Sequence, residues 1–150
     1  MKTKTKKIAS AVFILVMILA ASVVAQPTDP AIIKARAYTN SEQFDSAKEA
    51  FDALIKTQPN NGDVYFYYGE NYLIEYYNDT VYTSKSAAIN AAQKLFQKAL
   101  ELDPNNTAGY VGMGKISLMK NDEAGAEKYF ADAQAKFPSK TNKTSTILPD

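Results

Sequence analysis

Tyr110-Val111-Gly112-Met113-Gly114 is followed by Ala126-Glu127-Lys128-Tyr129-Phe130-Ala131-Asp132-Ala133 and closes at Pro138. The same order of residue types occurs twice upstream. Tyr68-Gly69-Glu70-Asn71-Tyr72 leads to Ala92-Gln93-Lys94-Leu95-Phe96-Gln97-Lys98-Ala99 and Pro104. Tyr38 leads to Phe44-Asp45-Ser46-Ala47-Lys48-Glu49-Ala50-Phe51 and Pro59. Ala47, Ala92 and Ala126 are 45 and 34 residues apart, and the three phenylalanines and three prolines repeat both intervals. Ala35, Gly69 and Gly114 are 34 and then 45 apart. The unit is therefore 34 residues, and the second copy carries 11 extra between Tyr72 and Ala92. A fixed period of this length is the mark of stacked supersecondary units.

The residue types say what is stacked. Gly69 and Gly114, and on the following helices Ala47, Ala92 and Ala126, let two helices approach closely. The phenylalanines four residues after those alanines share their helical face and fill the space between pairs. Gln58-Pro59-Asn60-Asn61 and Asp103-Pro104-Asn105-Asn106 are turns in which Pro ends one helix and Asn caps the next. Helices are expected at about 30–40, 43–57, 62–77, 84–102, 107–120 and 123–136. The extra residues read as one more turn on each helix of the second pair plus a longer loop, at about 76–86. That hairpin is either a tolerated expansion or a docking tip presenting Tyr76, Tyr77, Val81 and Tyr82.

A 34-residue unit with this order of small residues, Tyr, Phe and closing Pro resembles the tetratricopeptide repeat. The resemblance covers about residues 28–138, as units at about 28–61, 62–106 and 107–138. The third copy matches best, departing at Ser117, and the first is weakest at Lys34-Ala35. The resemblance implies an all-α solenoid of three antiparallel helix pairs whose first helices line a concave groove. By alignment that groove would hold Ile32, Ile33 and Arg36, then Asp63, Phe66, Tyr67, Glu70 and Ile74, then Val111, Lys115 and Met119. Some of these apolar residues are equally expected to pack on neighbouring helices. Apolar anchors mixed with Arg36, Glu70 and Lys115 suit an extended peptide or a partner helix.

Composition removes other functions. The chain has no Cys and no His, so it lacks thiolate chemistry and the commonest metal ligand and general base. No catalytic constellation emerges, and no cofactor or metal site is expected. The 17 basic and 16 acidic residues are unevenly placed, with Lys2, Lys4, Lys6 and Lys7 in the first seven positions. The remaining body is mildly acidic, which gives no electrostatic case for nucleic acid. The apolar run 8–21 follows those lysines and ends in Ser22-Val23-Val24-Ala25 before Gln26. Residues 1–25 read as a Sec-type signal peptide cut after Ala25, with an uncleaved anchor as the rival. The mature chain would be periplasmic or secreted, with no membrane contact after cleavage.

The leading expectation is an exported, non-enzymatic scaffold that binds a protein or peptide in its concave groove. The alternative is a structural segment of a longer exported solenoid with no groove ligand of its own. A third reading, small-molecule or glycan binding, rests only on the aromatic groove. Residues 139–150 lack helical periodicity and read as a disordered tail. Tyr129 and Phe137 are expected to face outward from the last helix, leaving an apolar end suited to end-to-end self-association.

Overall fold

Each repeat folds as two antiparallel helices because the small residues on their facing sides bring the backbones together. The computed structural model, which describes residues 29–78 and 85–137, contains six helices and no strand among those residues. They are α1 (Pro30–Asn40), α2 (Phe44–Thr57), α3 (Gly62–Asn78), α4 (Lys85–Leu102), α5 (Thr107–Met119) and α6 (Glu123–Lys136). Their ends lie within one residue of those read from the sequence. The all-α solenoid of three helix pairs is thus observed, with α1–α2, α3–α4 and α5–α6 as the pairs and α2 on α3 and α4 on α5 joining them. The proposed signal peptide, Val81, Tyr82 and the tail 139–150 lie outside the described residues.

The insert lengthens the second pair as expected. α3 has 17 residues against 13 in α5, and α4 has 18 against 14 in α6. At about 3.6 residues per turn, each long helix gains about one turn.

Helix ends are capped by the turn residues. Asn106 Oδ1 accepts from Gly109 N at 2.8 Å, and Asp122 Oδ1 accepts from Gly125 N at 2.9 Å. Asp29 Oδ1 accepts from Ala31 N at 2.7 Å ahead of Pro30, and its other oxygen accepts from Gln58 Nε2 at 2.7 Å. The start of α1 is thereby tied to the end of α2. Caps of this kind are each worth about 1 kcal/mol.

The short turns within the first and third pairs are the same turn. Gln43 N donates to Tyr38 O and Asp122 N donates to Ser117 O, both at 2.9 Å. Both turns require a left-handed residue, Glu42 at φ 59° and Asn121 at φ 60°. Asn enters that region at little cost, whereas Glu42 does so with strain.

The core is built on rings laid over missing side chains. Phe51 and Phe96 are fully buried and Phe130 nearly so. A Cβ on Gly69 would stand 2.5 Å from the Phe96 ring, and one on Gly112 would stand 2.6 Å from the same ring. A Cβ on Gly114 would collide with Phe130. Phe96 therefore occupies a slot that opens on its own partner α3 and on α5 of the next pair.

Tyr129 departs from expectation. It is half-buried and packs against the main core. Its 34-residue counterpart, Leu95, does the same. The position is therefore partly covered and not turned outward. Phe137 is exposed. Along α6 the exposed side carries Ala124, Glu127, Lys128, Ala131 and Gln134.

Two outcomes follow for stability. Gly112→Ala and Ala126→Leu each force carbon into a closed contact and are expected to cost about 1–3 kcal/mol in urea unfolding. Glu42→Asn removes the left-handed penalty and is expected to gain about 0.5–1 kcal/mol. An unchanged or lower midpoint for Glu42→Asn would count against the turn geometry.

Candidate partner-binding trough

The first helices of the pairs, α1, α3 and α5, lie side by side through contacts of α1 with α3 and of α3 with α5. Residues four and seven positions apart on each helix project along this common surface. The residues aligned there from the sequence fall into three groups.

One group is buried. Phe66 is 2% exposed and lies in the main core, its ring 5.7 Å from Phe96 and 4.9 Å from Tyr67. Val111 is 3% exposed and packs with Ala126, Phe130 and Ala133 inside the third pair. Ile32 is buried as well. None of the three offers a side chain to a partner. Their alignment positions suit a groove, but here they face the next helix.

A second group forms electrostatic links across the surface. The Arg36 guanidinium lies 4.4 Å from the centre of the Tyr67 ring. The Lys115 ammonium donates to Glu70 at 2.9 and 3.2 Å, tying α5 to α3. Glu70 is the more sheltered partner, with 22% of its side chain exposed against 40% for Lys115. A half-exposed pair of this kind contributes up to about 1 kcal/mol. Burial raises the Tyr67 pKa; Arg36 works against the shift, and Asp63 and Glu70 add to it.

The third group is open. Ile33 is 50% exposed at the α1 end. Ile74 and Met119 line a trough of about 540 Å³ between α3 and α5, together with Leu73, Leu118 and Tyr77. Glu70 and Lys115 close one end of it. Tyr77, 66% exposed, stands on the rim, with Tyr76 edge-on against it at 5.3 Å. The trough thus joins Glu70, Ile74, Lys115 and Met119 of the aligned set, while Ile33, Arg36 and Tyr67 lie outside it. Leu73 and Leu118 were not singled out by alignment, although they are equivalent positions of the second and third copies. Tyr77 belongs to the added helical turn, where a 34-residue alignment has no counterpart.

The Tetratricopeptide repeat family model matches residues 34–74 and 89–141, more than half of the chain. The chain is a tetratricopeptide-repeat protein. Repeats of this family are helical scaffolds for protein–protein interaction. Among similar proteins is cellulose synthase 1 operon protein C of Komagataeibacter xylinus, 33% identical over 63 residues, or 42% of this chain and 5% of that protein. Cellulose synthase operon protein C of Komagataeibacter sucrofermentans is 32% identical over 60 residues, 40% of this chain and 4% of that protein. The matched part thus spans about one-twentieth of the length of these relatives. No helix among the described residues is long and apolar enough to cross a membrane.

Behind the trough, α2 is held to α3 by a polar cluster. Lys48 Nζ donates to Glu75 at 2.8 Å, and Phe51 stacks on Tyr68 with ring centres 5.3 Å apart. Partial burial opposes the Lys48 charge. Glu75, and after it Asp45, outweighs that and holds its pKa above the ordinary lysine value. Burial pushes the Tyr68 hydroxyl well above the ordinary tyrosine value, aided by Tyr72 and Asp52. Groups whose folded pKa is raised stabilise fully below their unfolded pKa and lose that contribution as pH rises. Stability should therefore hold up to about pH 10, the ordinary tyrosine value, and fall above it. Urea midpoints measured from neutral pH to pH 11 test this, and Tyr68→Phe should make the fall shallower.

Proposed function

We propose that this chain is an exported, non-enzymatic scaffold that holds an extended peptide or helix of a partner protein in the trough between α3 and α5. The observation that carries the reading is the trough itself. An apolar floor of the partly exposed Ile74, Leu118 and Met119, backed by the buried Leu73, accepts a large side chain, Tyr77 offers an exposed ring, and the Glu70–Lys115 pair supplies polar contacts at the end. A few buried apolar anchors beside fixed polar groups is the usual composition of a recognition site. Export is supported by the lysine-rich start, the apolar run and the Val23-Val24-Ala25 sequence before Gln26. The likeness to the cellulose synthase operon proteins, over about two-fifths of this chain, is compatible with a scaffold role.

The test is capture of a partner from the envelope or secreted fraction by the chain Gln26–Asp150, identified by mass spectrometry. Ile74→Glu places a charge on the trough floor, and Tyr77→Ala removes the rim ring. Each is expected to weaken capture by about 2 kcal/mol, roughly thirty-fold, while circular dichroism stays helical. Phe66→Ala should instead destabilise the fold by about 3–5 kcal/mol. Full capture by the Ile74→Glu, Tyr77→Ala double variant would overturn the trough. A second reading, a structural stretch of a longer exported solenoid, is favoured by the small share of the relatives' length that the chain matches. That reading expects the trough variants to change nothing. The mature N-terminus, read by sequencing the exported protein, is expected at Gln26.

A further inference from the structure

A second groove, of about 500 Å³, runs between α1 and α2 and involves none of the trough residues. The repeat shows what this groove is. α1 contributes Ala31, Lys34 and Tyr38, the 34-residue counterparts of Tyr65, Tyr68 and Tyr72. Those tyrosines are how α3 meets α2: Tyr68 stacks on Phe51, Tyr72 stacks on Tyr68, and Lys48 of α2 lies 5.6 Å from the Tyr72 ring. The α2 wall includes Ala50 and Thr57, where the second copy has Leu95 and Leu102, both packed against the core. In the third copy the place of Ala50 is taken by Tyr129, packed likewise.

The second pair therefore meets the pair before it with the α3 tyrosines, and α2 of that earlier pair covers them. The first pair has the same surface with the bulk removed. Ala31 stands for Tyr65 and Tyr110, Ala50 for Leu95 and Tyr129, and Thr57 for Leu102. The result is a hole with walls of Ala31, Ala50, Ala53 and Leu54. Its charge has changed too. Lys34 stands where Tyr68 and Met113 are apolar, and neither Lys34 nor Glu49 on the opposite wall forms an ion pair with another described residue. Inside the molecule, the covering helix meets Tyr68 with the Phe51 ring, and the neighbouring Asp52 carboxylate adds to the rise in the tyrosine's pKa.

We propose that the α1–α2 groove is a docking site for an amphipathic helix of a partner protein that brings what the first pair lacks: a large apolar side chain for the hole and a carboxylate opposite Lys34. The packing continues the α2-on-α3 and α4-on-α5 contacts with the roles of knob and hole exchanged. The charge pairing follows from Lys34 occupying the place that faces Asp52 one repeat later. The docked helix would lie outside the concave surface, so the protein could hold this partner and a trough peptide together.

The probe is the chain's own covering helix. Residues 43–61, α2 with its closing turn, are joined ahead of Thr28 to keep the 34-residue spacing, and the product is compared with the chain 28–150. The added helix presents its Phe51 and Asp52 toward Lys34, the counterpart of the Tyr68 that both meet inside the molecule. The melting temperature should rise by about 4 °C or more. Phe51→Ala or Asp52→Lys within the added copy alone should each remove most of the rise, and Lys34→Glu in the protein should restore it for the Asp52→Lys probe. An unchanged melting temperature, or a rise that both probe variants retain, would overturn the proposal. Sedimentation of the chain Gln26–Asp150 is the second arm. A monomer across a concentration series agrees with a groove open to a different protein. A dimer that Lys34→Glu dissolves would make the occupant a second copy and overturn it.

Discussion

The Phe96 ring fills a space that two glycines leave for it. Gly69 on α3 and Gly112 on α5 both lack the carbon that would strike it. One side chain thereby sets the separation of a helix from its own partner and from the next pair. Interiors pack at crystal-like density, so a slot of this kind has little room for adjustment. Phe130 repeats half of the arrangement against Gly114, and Phe51 is as deeply buried in the first pair. The solenoid is in this sense one contact copied at a fixed period.

The trough inherits its shape from that contact. Its walls are the halves of α3 and α5 beyond Gly69 and Gly112, so the spacing fixed by Phe96 is also the width available to a ligand. The Lys115–Glu70 bonds hold the two helices at that width on the trough side. On the other side of α3, Lys48 bonds to Glu75, and Thr39 donates to the buried Asn71 at 2.7 Å. Polar pairs placed this way add little stability individually, but they fix register between helices whose apolar faces would tolerate sliding.

Much of this was legible in the sequence because the repeat supplies its own alignment. Three copies in phase locate every helix to within a residue, and the excess spacing around the second copy places the lengthened hairpin. The groove was less legible, for a specific reason. Position in a repeat tells which helix a residue occupies and roughly where it points, but not how close the neighbouring helix comes. Phe66 and Val111 occupy groove-like positions and are covered, because the adjacent helices approach closely over Gly112 and Gly114. Tyr77 is prominent because the added turn carries it past the end of α5. Helical geometry alone turns Tyr129 outward, yet it is half-buried against the main core. Comparison with Leu95, its counterpart one repeat earlier, would have turned it inward. The same comparison reveals the hole at Ala31 and Ala50, which is visible only as a difference between copies.

The central claim is that Phe96 and Gly112 are coupled, and a double-mutant cycle measures that coupling directly. Urea unfolding is recorded for the parent, Gly112→Ala, Phe96→Leu and the pair. If the added methyl of Gly112→Ala strikes the Phe96 ring, shortening that side chain to Leu relieves the collision. The double variant should then be more stable than the sum of the single losses by about 1 kcal/mol or more. Losses that add within about 0.5 kcal/mol would show that the two residues do not share the slot, and would contradict the account of how the repeats are held together.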